Sequence, residues 1–170
     1  FDRARELAAR VPARVARVGV FVDPDDALLD QAIEAGRIDV LQLHSTAPAR
    51  AAAIARRGIE IWGVAAVRLR ADLDAARSWK GAAARILYDA KTPDGTLPGG
   101  MGLRFDWALL EGFRHPLPWA LSGGLDAGNL AEAVRVTGAS LVDVSSGVES
   151  APGIKDVDKI AAFLKAAASL

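Results

Sequence analysis

The sequence predicts an α/β fold, a parallel (β/α)8 TIM barrel from which the first two strands are absent. Three observations predict it. Six apolar, strand-like runs alternate with helical stretches at about 20–25 residues per unit, the rhythm of parallel strands joined by right-handed helical crossovers. The glycine-rich turns fall late, at Ser122-Gly123-Gly124 and Ser145-Ser146-Gly147. An open doubly wound sheet also fits the alternation, but it binds phosphate in its first strand–helix loop, whereas a barrel does so after its last two strands. Finally, at period two Phe21 and Asp23, Gln42 and His44, Leu87 and Asp89, and Asp143 and Ser145 share strand faces, each face ending in a polar residue. If the aliphatic faces pack on helices, these polar faces meet at the carboxyl ends of the strands, where barrel active sites lie.

The elements follow in order. Phe1, Ala4, Leu7 and Ala8 form a helical stripe that Pro12 ends. Val15 to Val22 reads as a strand closing at Asp23-Pro24. Asp25 or Asp26 caps a helix over about 26–35 that stops at Gly36. Val40 to His44 is the second strand, and Pro48 to Arg57 an alanine-rich helix ended by Gly58. Glu60 to Val67 is a strand, 70–79 a helix, and Ala84 to Asp89 the fourth strand. Asp106 to Phe113 is a short helix and Pro118 to Leu121 the fifth strand. A helix over Asn129 to Val136, a sixth strand over Leu141 to Val144 and a final helix over Asp156 to Ala168 complete a single domain spanning 1–170.

Composition narrows the function. Hydrophobic residues make up 51%, so a packed core is available. Lys+Arg and Asp+Glu are both 21, which argues against a nucleic-acid footprint or an anionic-membrane binder. No apolar run reaches the roughly 18 residues of a spanning helix, and the charged start is no signal peptide. A cytoplasmic protein is the default expectation. The absence of cysteine excludes disulfides and thiolate chemistry, and with two histidines a metal site is not expected.

Asp89 ends an apolar strand and is followed by a proline- and glycine-rich loop with Gly99, Gly100, Met101 and Gly102. A carboxylate there suits a general acid whose pKa is raised by partial burial, under a lid that excludes water. It equally suits a strand-end aspartate that caps a turn or pairs with Lys91. Gly123, Gly124, Ser146 and Gly147 suit a phosphate cradle, in which glycines expose amides and serines add hydroxyls. They also suit ordinary strand–helix turns. His44, with Ser45 and Thr46 beside it, reads as readily as a satisfied structural histidine. Trp62, Trp79, Trp107 and Trp119 read as packing residues, and His115 is given no role.

A set of ordered motifs now becomes specific. Leu41-Gln42-Leu43-His44, Asp89-Ala90-Lys91, Gly99-Gly100-Met101-Gly102 with Phe105-Asp106-Trp107, Asp143-Val144-Ser145-Ser146-Gly147-Val148-Glu149 and Pro152-Gly153-Ile154-Lys155-Asp156 together resemble the phosphoribosylanthranilate isomerase family. The resemblance implies a (β/α)8 barrel of tryptophan biosynthesis that turns N-(5′-phosphoribosyl)anthranilate into 1-(o-carboxyphenylamino)-1-deoxyribulose 5-phosphate by an Amadori rearrangement. It implies no metal or organic cofactor, and a phosphorylated small molecule as partner. It carries the general acid to Asp89, the phosphate loops to Gly123, Gly124, Ser146 and Gly147, the sugar-hydroxyl contact to Asp143, and the pocket lining to Gln42 and His44.

Departures from the pattern accompany it. The family opens with a Lys-Ile-Cys-Gly type strand, whose cysteine is the general base. A second strand follows with Ser-x-Arg, whose arginine binds the anthranilate carboxylate. Neither stretch occurs here. Phe1 to Arg10 resembles the family's second helix, so the first strand, first helix and second strand are expected to lie outside these residues or to come from a complementing chain. Ser45 stands at a usual glycine, Met101 at a usual threonine and Leu103 at a usual lysine. The alternatives are another phosphate-binding barrel enzyme of histidine or tryptophan biosynthesis, or a non-catalytic phosphate-binding fragment.

Overall fold

The computed structural model describes residues 1–93 and 102–170. Helix α1 (Asp2–Ala8) leads to strand β1 (Val18–Val22), helix α2 (Asp26–Gly36), strand β2 (Val40–His44), helix α3 (Pro48–Ala55) and strand β3 (Glu60–Val67). A 3₁₀ stretch, Arg70–Trp79, leads to β4 (Arg85–Ala90), a 3₁₀ turn at Trp107–Leu110 and β5 (Trp119–Leu121). Helix α4 (Leu130–Thr137), a 3₁₀ turn at Ser146–Val148, β6 (Glu149–Ala151), β7 (Ile154–Lys155) and α5 (Val157–Ala168) follow. Strands β1 to β5 form one sheet in sequential order, with β1–β2 and β2–β3 paired in parallel. Strands β6 and β7 form a separate antiparallel hairpin. The chain gathers into two compact units, Phe1–Val64 with Ser78–Ile86, and Ala65–Arg77 with Leu87–Leu170.

In the first unit the core is aliphatic. Leu29 of α2, Leu41 and Leu43 of β2, and Ala51 and Ile54 of α3 have no exposed surface. Asp25 caps α2 by accepting the Leu28 amide at 2.7 Å. The helix ends at Gly36, as expected, but not through a left-handed glycine. Gly36 stays helical, and Arg37 takes the left-handed turn at φ 45° while the Ile38 amide bonds back to Ile33. The strand expected from Val15 begins only at Val18, because the Val15 amide closes a turn onto Pro12 at 2.9 Å. Arg17 then anchors the strand's start with a two-pronged pair to Asp39, at 2.9 Å for each guanidinium bond. At Gly63 the Trp79 ring lies so close that any Cβ would run into it.

The helix expected over 70–79 forms as a 3₁₀ helix. The Asp72 carboxylate accepts the Arg68 and Leu69 amides at 2.8 and 2.7 Å, which tightens the first turn. Leu73, Ala76 and Trp79 are buried three residues apart, in step with the three-residue repeat of a 3₁₀ helix. Likewise the expected helix at 106–113 contracts to a single turn capped by Asp106, which accepts the Ala108 amide at 3.0 Å.

The second unit buries Leu87, Tyr88, Ala120, Leu121, Leu130, Ala133 and Phe163. The expected sixth strand, Leu141 to Val144, is reduced to one bridge between Leu121 and Val142. Its neighbour β5 is only three residues long. It offers Leu121 alone, whose amide donates to Leu141 at 3.0 Å and whose carbonyl accepts from Asp143 at 2.8 Å. Among the described residues the main sheet therefore has five strands and one bridge where six strands are expected. Among the described residues no helix is long and apolar enough to cross a membrane.

Candidate active site

The site grows from the carboxyl end of β4. Period two along Arg85–Ala90 turns Tyr88 to one face and Asp89 to the other. On the first face the Tyr88 ring packs edge-on to Trp119 at 5.7 Å, and its hydroxyl lies 3.2 Å from His115 Nδ1. His115 in turn stacks on Trp119 at 4.3 Å. His115, given no role from sequence, thus closes an aromatic cluster that pins β4 from behind.

Asp89 is 7% exposed. Its Oδ1 accepts the Ala90 amide at 2.8 Å. Burial raises its pKa to about 6, and the nearby Asp143 carboxylate pushes the same way; the Ala90 amide and Ser122 hydroxyl oppose the rise. Lys91 does not neutralise it, since the Lys91 charge acts on Asp72. The pairing with Lys91 weighed from sequence is therefore not the one formed.

Strand β5 runs into Ser122-Gly123-Gly124. The Ser122 amide donates to the Tyr88 carbonyl at 2.8 Å, which carries the turn past the end of β4. Gly123 has φ 86°, and a Cβ there would stand 2.7 Å from the Ala90 nitrogen and 3.0 Å from Asp89 Oδ1. Only glycine lets this loop lie against the acid. Gly124 has φ 66° and presses on the Gly102 and Leu103 carbonyls. Its own carbonyl accepts the Asn129 side-chain amide at 2.9 Å, and Asn129 is held by Asp126.

The last loop is held from outside. Lys155 Nζ on β7 donates to the Ser145 carbonyl at 2.9 Å, to Ser145 Oγ at 3.0 Å and to Glu149 at 2.7 Å. The Glu149 carboxyl also accepts the Gly153 amide at 3.1 Å, and its pKa is lowered chiefly by the Lys155 bond. A Cβ on Gly147 would run into the Leu125 carbonyl, so the two glycine loops touch through backbone. The Pro152-Gly153-Ile154-Lys155-Asp156 motif is thus a brace for the serine-glycine loop. Sequence reasoning used it as a family mark and missed this role; a lysine on a two-residue strand gives no local signal of it.

These pieces surround one cleft, lined by Asp89, Ser122, Gly123, Gly124, Asp143 and Ser146 along with Thr92, Gly102 and Leu103. Gly124, Ser146 and Gly102 also line an adjoining cleft that Gly147 enters. Ser122 donates to Asp143 Oδ2 at 2.8 Å, a bond linking two strand ends. The structure thus brings together Asp89, Asp143 and the four glycine-loop residues singled out from sequence. Gly102 borders both clefts, with φ 66°. Gly99, Gly100 and Met101 of the expected lid lie outside the described residues. Gln42 and His44 belong to the first unit, at the carboxyl end of β2, where both are buried and Gln42 Nε2 lies 3.1 Å from His44 Nε2. Thr46 donates to the His44 carbonyl at 3.0 Å. Among the described residues no cluster of three or more metal-ligating side chains is found.

A buried strand-end acid beside two interlocked glycine loops can protonate an oxygen of a substrate whose phosphate sits on backbone amides. The family model described as N-(5′phosphoribosyl)anthranilate (PRA) isomerase matches residues 2–166. The N-(5′-phosphoribosyl)anthranilate isomerase of Zymomonas mobilis subsp. mobilis is 52% identical over 168 residues, covering 97% of this chain and 79% of that protein. A crystal structure of phosphoribosyl anthranilate isomerase from Thermotoga maritima superposes with a TM-score of 0.85 at 34% identity, over 98% of this chain and 80% of that one. A second crystal structure is of phosphoribosyl anthranilate isomerase in complex with reduced 1-(o-carboxyphenylamino)-1-deoxyribulose 5-phosphate. It gives a TM-score of 0.81 at 31% identity, over 98% and 78% of the two chains. The chain belongs to the N-(5′-phosphoribosyl)anthranilate isomerase family.

Proposed function

We propose that Asp89 is the general acid of the isomerisation of N-(5′-phosphoribosyl)anthranilate to 1-(o-carboxyphenylamino)-1-deoxyribulose 5-phosphate, a step of tryptophan biosynthesis. The observation that carries the assignment is the environment of Asp89, a carboxyl buried at a strand end and still holding its proton to about pH 6. A general acid works best when its pKa lies near the working pH. Asp89 gives its proton to the furanose ring oxygen. The ring C–O bond breaks and the nitrogen lone pair forms a Schiff base. A general base then removes the C2′ proton, and the resulting enolamine tautomerises to the ketone. The substrate phosphate is placed on the backbone of Gly123, Gly124, Ser146 and Gly147, which line the two adjoining clefts. This needs no lysine cluster and suits a chain with net charge +0. Asp143 is assigned to sugar hydroxyls.

The 170 residues contain no cysteine. The reading therefore assigns the base to a cysteine of the family's first strand, supplied from outside these residues. The same portion would complete a (β/α)8 barrel with two further strands. Support comes from each unit taken alone. Val18, Val20 and Val22 of β1 are 37%, 61% and 44% exposed. In the second unit an apolar cleft opens beside Val142 and Val144, over Ile160, Phe163 and Leu164.

The test is an isomerase assay of the 170-residue chain with and without an added N-terminal β-α-β piece, and with Asp89→Asn in the active form. Activity on addition of the piece is expected, with Asp89→Asn lowering kcat by about 10²–10⁴-fold and product-analogue affinity little changed. Unchanged turnover in the Asn variant would sink the acid assignment.

A further inference from the structure

We infer that Arg104 is a phosphate-binding residue, whose guanidinium leaves the face of Trp107 and closes on the substrate phosphate at Gly124. The inference rests on the reading of the two glycine loops as the phosphate cradle and supplies the cation that this cradle lacks. The cleft beside the acid is lined by the carboxylates of Asp89 and Asp143, and the adjoining cleft by those of Asp126 and Glu149. Among the described residues that line the two clefts, none is a lysine or an arginine. Backbone amides alone would therefore hold a phosphate dianion against carboxylates. Two of those carboxylates are already answered. Lys155 donates to Glu149 and to the two Ser145 oxygens, and Asp126 accepts the Gly128 and Asn129 amides at 2.7 and 3.0 Å. Neither arrangement offers a positive charge to a ligand.

Arg104 is rooted beside the cradle. A Cβ built on Gly124 would stand 3.1 Å from the Arg104 Cβ, and Gly124 borders both clefts. The Arg104 side chain is exposed, and its guanidinium carbon lies 5.1 Å from the centre of the Trp107 ring. Trp107 is itself fixed, 6% exposed, on the turn that Asp106 caps. Among the described residues the Arg104 guanidinium has no ion pair and no hydrogen bond. A ring face holds a cation weakly where water reaches it, and it leaves all five guanidinium N–H groups for another partner. A phosphate presents charged oxygens in the geometry of the guanidinium fork, and such charge-assisted bonds are the stronger ones. The side chain pivots about a Cβ next to Gly124, so exchanging one contact for the other needs only rotation about side-chain bonds. On the ring the guanidinium pairs with neither Asp89 nor Asp143, which leaves the first free to hold its proton and the second to meet the sugar.

The test compares two probes on the 170-residue chain: reduced 1-(o-carboxyphenylamino)-1-deoxyribulose 5-phosphate and the same compound without its phosphate. Both are titrated by 15N–1H NMR, which gives the affinity and reports the Gly123, Gly124 and Gly147 amides in one experiment. The parent is expected to prefer the phosphorylated compound, with those amides shifting on binding. Arg104→Met removes the charge and keeps an apolar cover on the Trp107 ring. It is expected to lower affinity for the phosphorylated probe about tenfold and to leave the dephosphorylated one unchanged. Arg104→Lys, which keeps the charge but not the fork, recovers part of the loss. A methionine variant that retains the full preference overturns the inference. So does one that loses affinity for both probes alike, since the arginine would then serve the carboxyl group or the fold. Failure of the cradle looks different: a parent that binds both probes equally, or whose glycine amides stay still, overturns the cradle and the inference with it.

Discussion

At the scale of single residues, Asp89 concentrates the cost and the chemistry of the site. Its folded pKa of about 6 lies above the ordinary 3.8. Between those two pH values the folded protein holds a proton that the unfolded chain has released. Stability therefore falls as pH rises through that window, and the loss is complete above about pH 6. Replacing Asp89 by Asn removes the ionisation. Denaturant unfolding at pH 8 is expected to show the Asn variant more stable, by something of the order of 2 kcal/mol. At pH 4 the two proteins should unfold at nearly the same concentration. A variant no more stable at pH 8 would mean that Asp89 is not held at an elevated pKa. A gain in stability with a loss of turnover is the expected signature of a strained catalytic group.

At the scale of elements, the loops that hold the acid are held in turn by features with no local prominence. The Lys155 ammonium bridges Ser145 and Glu149 from a two-residue strand. Lys155→Met keeps most of the length of the side chain and removes three charge-assisted donations. The ion pair is exposed on the lysine side, so global stability should change by no more than about 1 kcal/mol. The loop geometry should suffer more. KM for the phosphorylated substrate is expected to rise about tenfold with kcat changed by less, a split that steady-state kinetics of the active form can read. Equal effects on both constants would argue that the hairpin does not act through the phosphate. Strand β5 illustrates the same dependence. It is three residues long, yet its last carbonyl and the following turn set both Asp143 and Gly123 in place.

At the scale of the whole molecule, the exposed valines of β1 offer a test of the proposed β-α-β complement. Val20 is 61% exposed. Val20→Lys should therefore leave the thermal unfolding of the 170-residue chain within about 0.5 kcal/mol of the parent. If a further β-α-β portion covers this face, the same change should abolish complementation of activity, because it would bury an unpaired ammonium. Full complementation by the lysine variant would show that the face stays open to water.

Much of this molecule can be read from period and punctuation. Val40–His44 and Glu60–Val67 appear where the apolar runs place them, and Asp25, Asp106 and Asp156 cap the elements they precede. Local physics suffices there, since a run of β-branched and aliphatic residues or a carboxylate before a helix acts on its own neighbours. The turn glycines were legible for the same reason. What the sequence by itself determined is thus the list of elements, the motifs and the candidate acid. Only the tertiary structure decided the rest. It made 70–79 a 3₁₀ helix, because Leu73, Ala76 and Trp79 are buried at a spacing of three. It thinned the sixth strand to one bridge, because β5 offers a single partner residue. It gave Lys155 to the Ser145 loop and bonded the Ser122 hydroxyl to Asp143. It also turned Asp89 from a residue that could cap a turn into a buried acid, because desolvation and a second carboxylate arise only when distant strand ends meet.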